Sequence, residues 1–245
     1  MGLPTAARVD QRVPKKFLLE HGNPNATDKK HIAEDVDALL WVAALKPEAI
    51  GVPATNDEVR EYGEIAVLHV VLRSGTNATR IAEYIHRAIP YPAILVTDVE
   101  GFVGLSVAHK RRAQNEPGRV VLDGDVIEAR FDDRGAGSDS VGEPVLAALR
   151  IDQHARSNLW ETYRGIVDVV VAARAFRVTR TFALSRSAEH SAERRLALDE
   201  CERLEREIEL LLSRAARERQ LARQVELNLA VKRLRDALTE ARTKL

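Results

Sequence analysis

The sequence predicts an α+β protein: a mixed sheet with a parallel βαβ crossover, followed by a long protruding C-terminal helix of coiled-coil character. Three observations carry this prediction. Residues 64–73 (EIAVLHVVLR) and 91–99 (YPAILVTDV) are apolar on both faces of a strand, as expected at the centre of a covered sheet. Between them Ile81, Ile85, Ala88 and Ile89 share a helical face, behind Thr76 or Asn77 as cap and ahead of Pro90. Strand, helix, strand at this spacing joins parallel neighbours. Finally, residues 186–245 contain neither Gly nor Pro and repeat apolar side chains at steps of three and four.

Taken in order, residues 1–26 carry Pro4, Pro14 and Pro24 and read as irregular, with Lys15-Lys16 as a small basic point. Thr27 is the expected N-cap of a helix over 28–45, whose Ile32, Val36, Leu39, Leu40 and Ala43 form one apolar face and which Pro47 stops. After the crossover, Glu100-Gly101 turns the chain into an expected antiparallel strand over 102–109. Residues 119–131 read as a further strand or hairpin around Asp123-Gly124, and 132–143 (DDRGAGSDSVGE) as a surface loop. A second helix over 155–175 carries Leu159, Trp160, Tyr163, Ile166, Val167 and Val170. The expected organisation is an α/β globular domain over 1–150, a linking helix and linker over 151–185, and a long helix for assembly over 186–245.

The terminal seam runs Cys201, Leu204, Ile208, Leu211 and Ala215, then Leu227, Val231, Leu234, Leu238, Ala241 and Leu245. One continuous helix, or two pieces of one, would reach roughly 85–90 Å at about 1.5 Å per residue. Such a helix must bury its seam, so Leu204, Ile208 and Leu211 are candidates for docking a second copy or a partner. The two registers do not join between Ala215 and Leu227, where Glu218, Arg219 and Gln220 take the apolar slots. Gln220, Gln224 and Asn228 follow on one face beside Arg223. The break reads either as a stutter that unwinds the supercoil or as a polar docking patch.

Composition narrows the function classes. Lys+Arg and Asp+Glu both number 37, so no global basic field announces nucleic acid. Aromatics make up 4%, which argues against a base-stacking surface. The single cysteine, Cys201, excludes an internal disulfide and a cysteine-based zinc cluster, and it fits the helix seam. No segment has the apolar run of a signal peptide or a membrane span, so a soluble, cytoplasmic protein without membrane contact is expected. No phosphate-cradling loop or nucleophile elbow is present, the histidines do not stand at metal-ligand spacing, and no cofactor is implied. His69, inside the central strand, reads as a hydrogen-bonded core residue.

Two constellations carry possible chemistry. Asp98 and Glu100 end one strand and Glu128-Ala-Arg130 lies on a later one, an order shared with restriction-type PD-(D/E)xK nucleases, whose acids hold magnesium. The lysine position is Arg130, a poor proton acceptor, and Ala108-His109-Lys110 has the lysine without the acid. The densest basic run is His109-Lys110-Arg111-Arg112, with Arg119 beyond it. These cations, with Lys15 and Lys16, are candidates for sequence-independent phosphate contact, a solvated loop being the competing reading.

Several runs occur together in order: Val13-Pro-Lys-Lys-Phe17; Asp28-Lys-Lys and Glu34-Asp-Val; Ile89-Pro-Tyr-Pro92; Lys110-Arg111; and Arg223-Gln-Val-Glu-Leu-Asn228. In this order they resemble a bacterial domain-of-unknown-function family, the one numbered 4391, from about Pro14 to the C-terminus. The resemblance implies a setting beside helicase and DNA-methyltransferase genes in clusters that look like anti-phage defence. It transfers no catalytic residue. The expected role is a non-enzymatic accessory or adaptor subunit whose terminal helix docks a partner such as a helicase. The alternatives are a metal-dependent nuclease using Asp98, Glu100 and Glu128, and a structural coiled-coil homodimer.

Overall fold

The computed structural model describes residues 2–21, 24–116, 118–132 and 141–245. The chain opens with β1 (Arg8–Arg12), α1 (Lys15–His21), α2 (Ala26–Asp35) and β2 (Val36–Leu45). A short α3 (Pro47–Ile50) and the two-residue strands β3 (Thr55–Asn56) and β4 (Glu61–Tyr62) lead into β5 (Ile65–Leu72). Then come α4 (Ala78–Ala88), β6 (Ala93–Val99), β7 (Phe102–Val107), β8 (Lys110–Arg112), β9 (Val120–Leu122) and β10 (Ile127–Asp132). The helices α5 (Gly142–Ala148), α6 (Leu159–Thr179), α7 (Ala188–Arg217) and α8 (Leu221–Arg242) complete it. By its internal contacts the chain divides into two units, Met1–Ala173 and Arg174–Leu245, with the division inside α6.

The first unit is built on a mixed six-stranded sheet in the order β1-β2-β5-β6-β7-β10. Its parallel pair is β5 and β6, in register from Ala66 beside Ala93 to Val71 beside Asp98. The other neighbours in this sheet are antiparallel. The pattern that marked β5 as central is physically accounted for: Leu68, Val70 and Leu72 face a core closed by α1, α2 and α4. The N-terminal unit also holds the ribbons β3-β4 and β8-β9.

Three expectations in this unit need correction. The helix expected over 28–45 is a helix only to Asp35, after which Val36–Leu45 is strand β2. Its apolar residues fitted a helical period, but β5 is buried on both faces and needs a neighbour on each edge, and β2 pairs with it along its whole length. The helix starts at an Asn25 capping box closed by Asp28, two residues before the expected Thr27 cap. Residues 1–26, read as irregular, contain β1 and α1; β1 is a mostly exposed edge strand, so it carries no apolar alternation for a reader to find. The stretch 119–131 splits, with β9 folding onto β8 and β10 onto β7. The loop expected over 132–143 falls mostly on 133–140, outside the described residues.

Gly165 stands inside α6, where glycine weakens a helix. The reason is a close approach: a Cβ there would lie 2.6 Å from Nδ1 of His154.

In the second unit the single long helix is corrected to a hairpin. Helix α7 ends at Arg217, and Glu218 and Gln220 are both in extended backbone. The Glu218 carboxylate takes the backbone N–H groups of Arg219 and Gln220, at 2.8 and 2.9 Å, holding the turn without glycine or proline. Gln224 Nε2 donates to Ala215 O across the turn at 3.2 Å, and Arg242 pairs with Glu205 at 2.9 Å near the open end, so α8 runs back along α7. The two seams that failed to join in sequence therefore cover each other: Cys201, Leu204 and Ile208 pack with Val231, Leu238 and Ala241, flanked by Leu211 and Leu234. At the hairpin's root Arg174 is held between Asp199 and Glu202 at 2.8 and 2.9 Å.

Because Ile208 is filled in by the chain's own second helix, Ile208→Ala should cost about 2–4 kcal/mol through lost contact and a residual cavity. Urea unfolding followed by helix signal should show this as a lower midpoint. An unchanged midpoint in dilute protein would mean that the seam is not buried within one chain.

Candidate functional site

The polar residues of the first unit converge in one place, at the end of β7 where the chain enters β8. Lys110 is 1% exposed, and its ammonium donates to the main-chain oxygens of His86 and of Ile89, the latter at 2.8 Å. His86 lies in the last turn of α4 and Ile89 is its C-cap, where carbonyls lack intrahelical partners and the helix dipole is negative. Burial pushes the Lys110 amine down to about 8, which leaves it mostly charged at neutral pH. The side chain is thus a buried cap on a helix terminus.

The same turn of α4 contributes His86, whose Nε2 lies 3.0 Å from the Ser106 hydroxyl on β7. Its ring is fully buried, and burial, reinforced by the Lys110 charge, pushes its pKa down to about 3. The imidazole is neutral in the folded protein. On the other side of Lys110, its backbone N–H donates to the Tyr62 hydroxyl at 3.0 Å, which lies 3.3 Å from His109 Nδ1. The Tyr163 hydroxyl donates to Ala93 O at 2.8 Å and accepts the Ala108 N–H at 3.0 Å, tying α6 to the ends of β6 and β7. Burial raises the pKa of both tyrosines, so they act as fixed neutral hydroxyls. Trp160 covers the group, its ring 4.5 Å from that of His109 and 5.2 Å from that of Tyr62, with the Arg60 guanidinium 4.1 Å above it. Apart from His86 Nδ1 and Arg60 Nε, which have no hydrogen-bond partner among the described residues, the polar groups are engaged with their neighbours in a packed interior, an arrangement suited to holding elements together.

The candidate acids of the nuclease alternative do not meet. Along β6, Leu95 and Val99 face the α4 core, so Asp98 points to the opposite face, where its carboxylate lies 3.7 Å from His69 Nε2. Glu128 is on the α4 face: its carboxylate accepts from Thr79 of α4 at 3.0 Å and from Arg130 Nε at 3.1 Å. Gly104 makes room for it, since a Cβ there would lie 3.2 Å from Glu128 Oε1. The sheet therefore separates Asp98 from Glu128, and Glu100 stands exposed in the turn between β6 and β7. Among the described residues no group of three His, Cys, Asp or Glu side chains could hold a metal ion.

The basic candidates are also dispersed. Lys110 is corrected from a surface cation to an interior one, because its amine satisfies α4. Arg111 lies 3.7 Å from Asp123, Arg112 pairs with Glu61 at 3.2 Å, and Arg119 pairs with Glu116 at 2.6 Å. Lys15 donates to Ala33 O in the last turn of α2 at 2.9 Å, a second lysine capping a helix end, and Lys16 lies 3.5 Å from Glu20. Of the docking candidates, Leu204, Ile208 and Leu211 form the hairpin interior, Gln220 and Gln224 shape its turn, and Arg223 and Asn228 are exposed.

Tyr62, His86, Ser106, Trp160 and Tyr163 were not singled out as a group by the sequence. A faint signal existed at His86, a polar residue beside Ile85 on the apolar side of an amphipathic helix.

The first unit is a mixed-sheet α+β domain whose buried polar groups join α4 and α6 to the strand ends, and the second is a helical hairpin. The chain belongs to the family described as Domain of unknown function (DUF4391), whose model matches residues 1–238. No curated protein and no solved structure matches it. Two of the runs that carry the resemblance, Ile89-Pro-Tyr-Pro92 and Lys110-Arg111, meet at the Lys110–Ile89 hydrogen bond.

Two outcomes follow from this cluster. Lys110→Ala strands buried carbonyls and should cost at least about 2 kcal/mol, read from urea unfolding. The histidine gives a pH dependence: its folded pKa, about 3, lies below the ordinary 6.5, so the unfolded chain takes the proton first. The stability it contributes is complete above pH 6.5 and is lost as pH falls toward 3, by up to about 1.4 kcal/mol per pH unit. His86→Gln should flatten that part of the acid limb relative to wild type. Parallel limbs in the two proteins would show that His86 titrates normally.

Proposed function

We propose that this chain is a non-enzymatic adaptor subunit of a bacterial anti-phage defence assembly, and that its α7–α8 hairpin docks a helicase partner. The observation that carries the reading is on the outside of the hairpin. Leu221, Val225 and Leu229 are 74%, 49% and 53% exposed and stand four residues apart on α8. Four-residue steps keep side chains on one side of a helix, here away from the stripe of Val231, Leu238 and Ala241 that packs on α7. Large aliphatics aligned on an outer face mark an interaction surface more often than scattered exposure does.

The family resemblance supplies the setting, beside helicase and methyltransferase genes, and the geometry supports binding over catalysis. The acids of the nuclease alternative stand on opposite faces of the sheet. The homodimer alternative rested on an open seam, which the hairpin fills from within the chain. Nucleic-acid contact through the 110–112 run loses its support, since Lys110 is interior and both arginines have carboxylate neighbours.

The test is co-expression of the tagged full chain with the product of the neighbouring helicase gene. Wild type should capture the helicase, and the triple variant Leu221→Gln, Val225→Gln, Leu229→Gln should reduce capture about tenfold with unchanged helix signal. Asp98→Ala and Glu128→Ala should leave capture intact. Magnesium- or manganese-dependent DNA cleavage by the purified protein, abolished by Asp98→Ala, would overturn the adaptor reading.

A further inference from the structure

We infer that the turn end of the hairpin is an electrostatic docking groove for an acidic, partly aliphatic segment of a partner protein, which gives the adaptor reading above its partner chemistry and rests on it. A groove of about 550 Å³ opens there, lined by Arg214 and Arg217 from the end of α7 and by Arg223, Leu227 and Ala230 from the start of α8. Glu218 and Glu226 complete the lining.

At this end three guanidiniums share one groove. Arg203 pairs with Glu200 and Glu207, Arg206 with Glu202, and Arg242 with Glu205, all within 4.0 Å. Among the described residues, no carboxylate comes that close to Arg214, Arg217 or Arg223, and all three are exposed. The sequence places three guanidiniums around one depression against only two carboxylates, Glu218 and Glu226, and of the three Arg223 is near enough to Glu218 to help the Gln220 N–H hold that carboxyl low. Like charges held together repel, and a ligand carboxylate relieves that repulsion while accepting two parallel N–H bonds from a guanidinium.

The groove's remaining wall decides between anionic partners. Leu227 and Ala230 present aliphatic surface, which suits a side chain of a peptide and offers nothing to a sugar-phosphate chain. Glu218 and Glu226 would face a continuous run of phosphates, whereas a peptide can place its carboxylates against the arginines and spare these positions. No aromatic ring lines the groove, so base stacking has no platform there. A protein segment of spaced Asp or Glu with intervening aliphatics matches all three features.

The experiment uses the full chain and a fluorescein-labelled amphipathic peptide with Glu at every fourth position and Leu between, read by anisotropy. Duplex DNA of similar charge is run in parallel. The peptide should bind saturably and weaken as NaCl is raised. The triple variant Arg214→Gln, Arg217→Gln, Arg223→Gln should bind it about tenfold more weakly with helix signal retained. Equal peptide affinity in wild type and variant, no peptide binding, or tighter arginine-dependent binding of the duplex would each overturn the inference. Helicase capture by the same variant separates this inference from the adaptor reading. Capture that survives the arginine changes and is lost with the Leu221, Val225 and Leu229 changes overturns the groove and leaves the adaptor standing.

Discussion

One buried ammonium group fixes the geometry of the first unit. Lys110 leaves water at a cost that only good acceptors offset, and the acceptors are the free carbonyls at the end of α4. The contact works in both directions, because those carbonyls also need a donor once covered. It locks the end of α4 to the start of β8. Through the Lys110 N–H it also draws in Tyr62, and with Tyr62 come His109, Trp160 and α6. Lys15 uses the same device on α2. Two helices that cover one face of the sheet thus have their C-terminal ends closed by lysines from other elements.

The second unit rests on a different balance. Each of its helices carries an apolar seam too long to leave in water, and the fold-back at Glu218–Gln220 lets each cover the other. An apolar seam of this length must be covered, and its cover is the next stretch of the same chain. Leu221, Val225 and Leu229, among the apolar residues left outside, are therefore surplus to internal packing, and Arg214, Arg217 and Arg223 add guanidiniums with no carboxylate within ion-pair distance among the described residues. Surplus of both kinds on one element is what the proposed docking role rests on.

Placement decides what the polar residues can do. The strand pleat alternates faces residue by residue, so Asp98 and Glu128 are separated by the thickness of the sheet although only one strand, β7, lies between β6 and β10. An acid at a strand end and an acid on a later strand meet only if their registers agree, and here they do not. The basic run His109-Lys110-Arg111-Arg112 is divided in the same way between the interior and paired surface positions.

The sequence by itself determined the parts governed by local physics. The two-faced apolar pattern identified β5 and β6, their separation by one helix implied a parallel pair, Thr76 or Asn77 stood where a cap was required (Asn77 takes it), and the heptad-like spacing announced buried helical seams. It even contained the break, since Glu218, Arg219 and Gln220 interrupted the seam at the point where the chain turns. Tertiary structure alone decided the remainder. Val36–Leu45 became a strand because β5 needed a second neighbour, against a pattern that also fits a helix. Lys110 went inward because the end of α4 lay opposite it, a fact that no window of adjacent residues contains. The seam closed on itself because an intramolecular helix is always present at high effective concentration, whereas a second chain must be recruited.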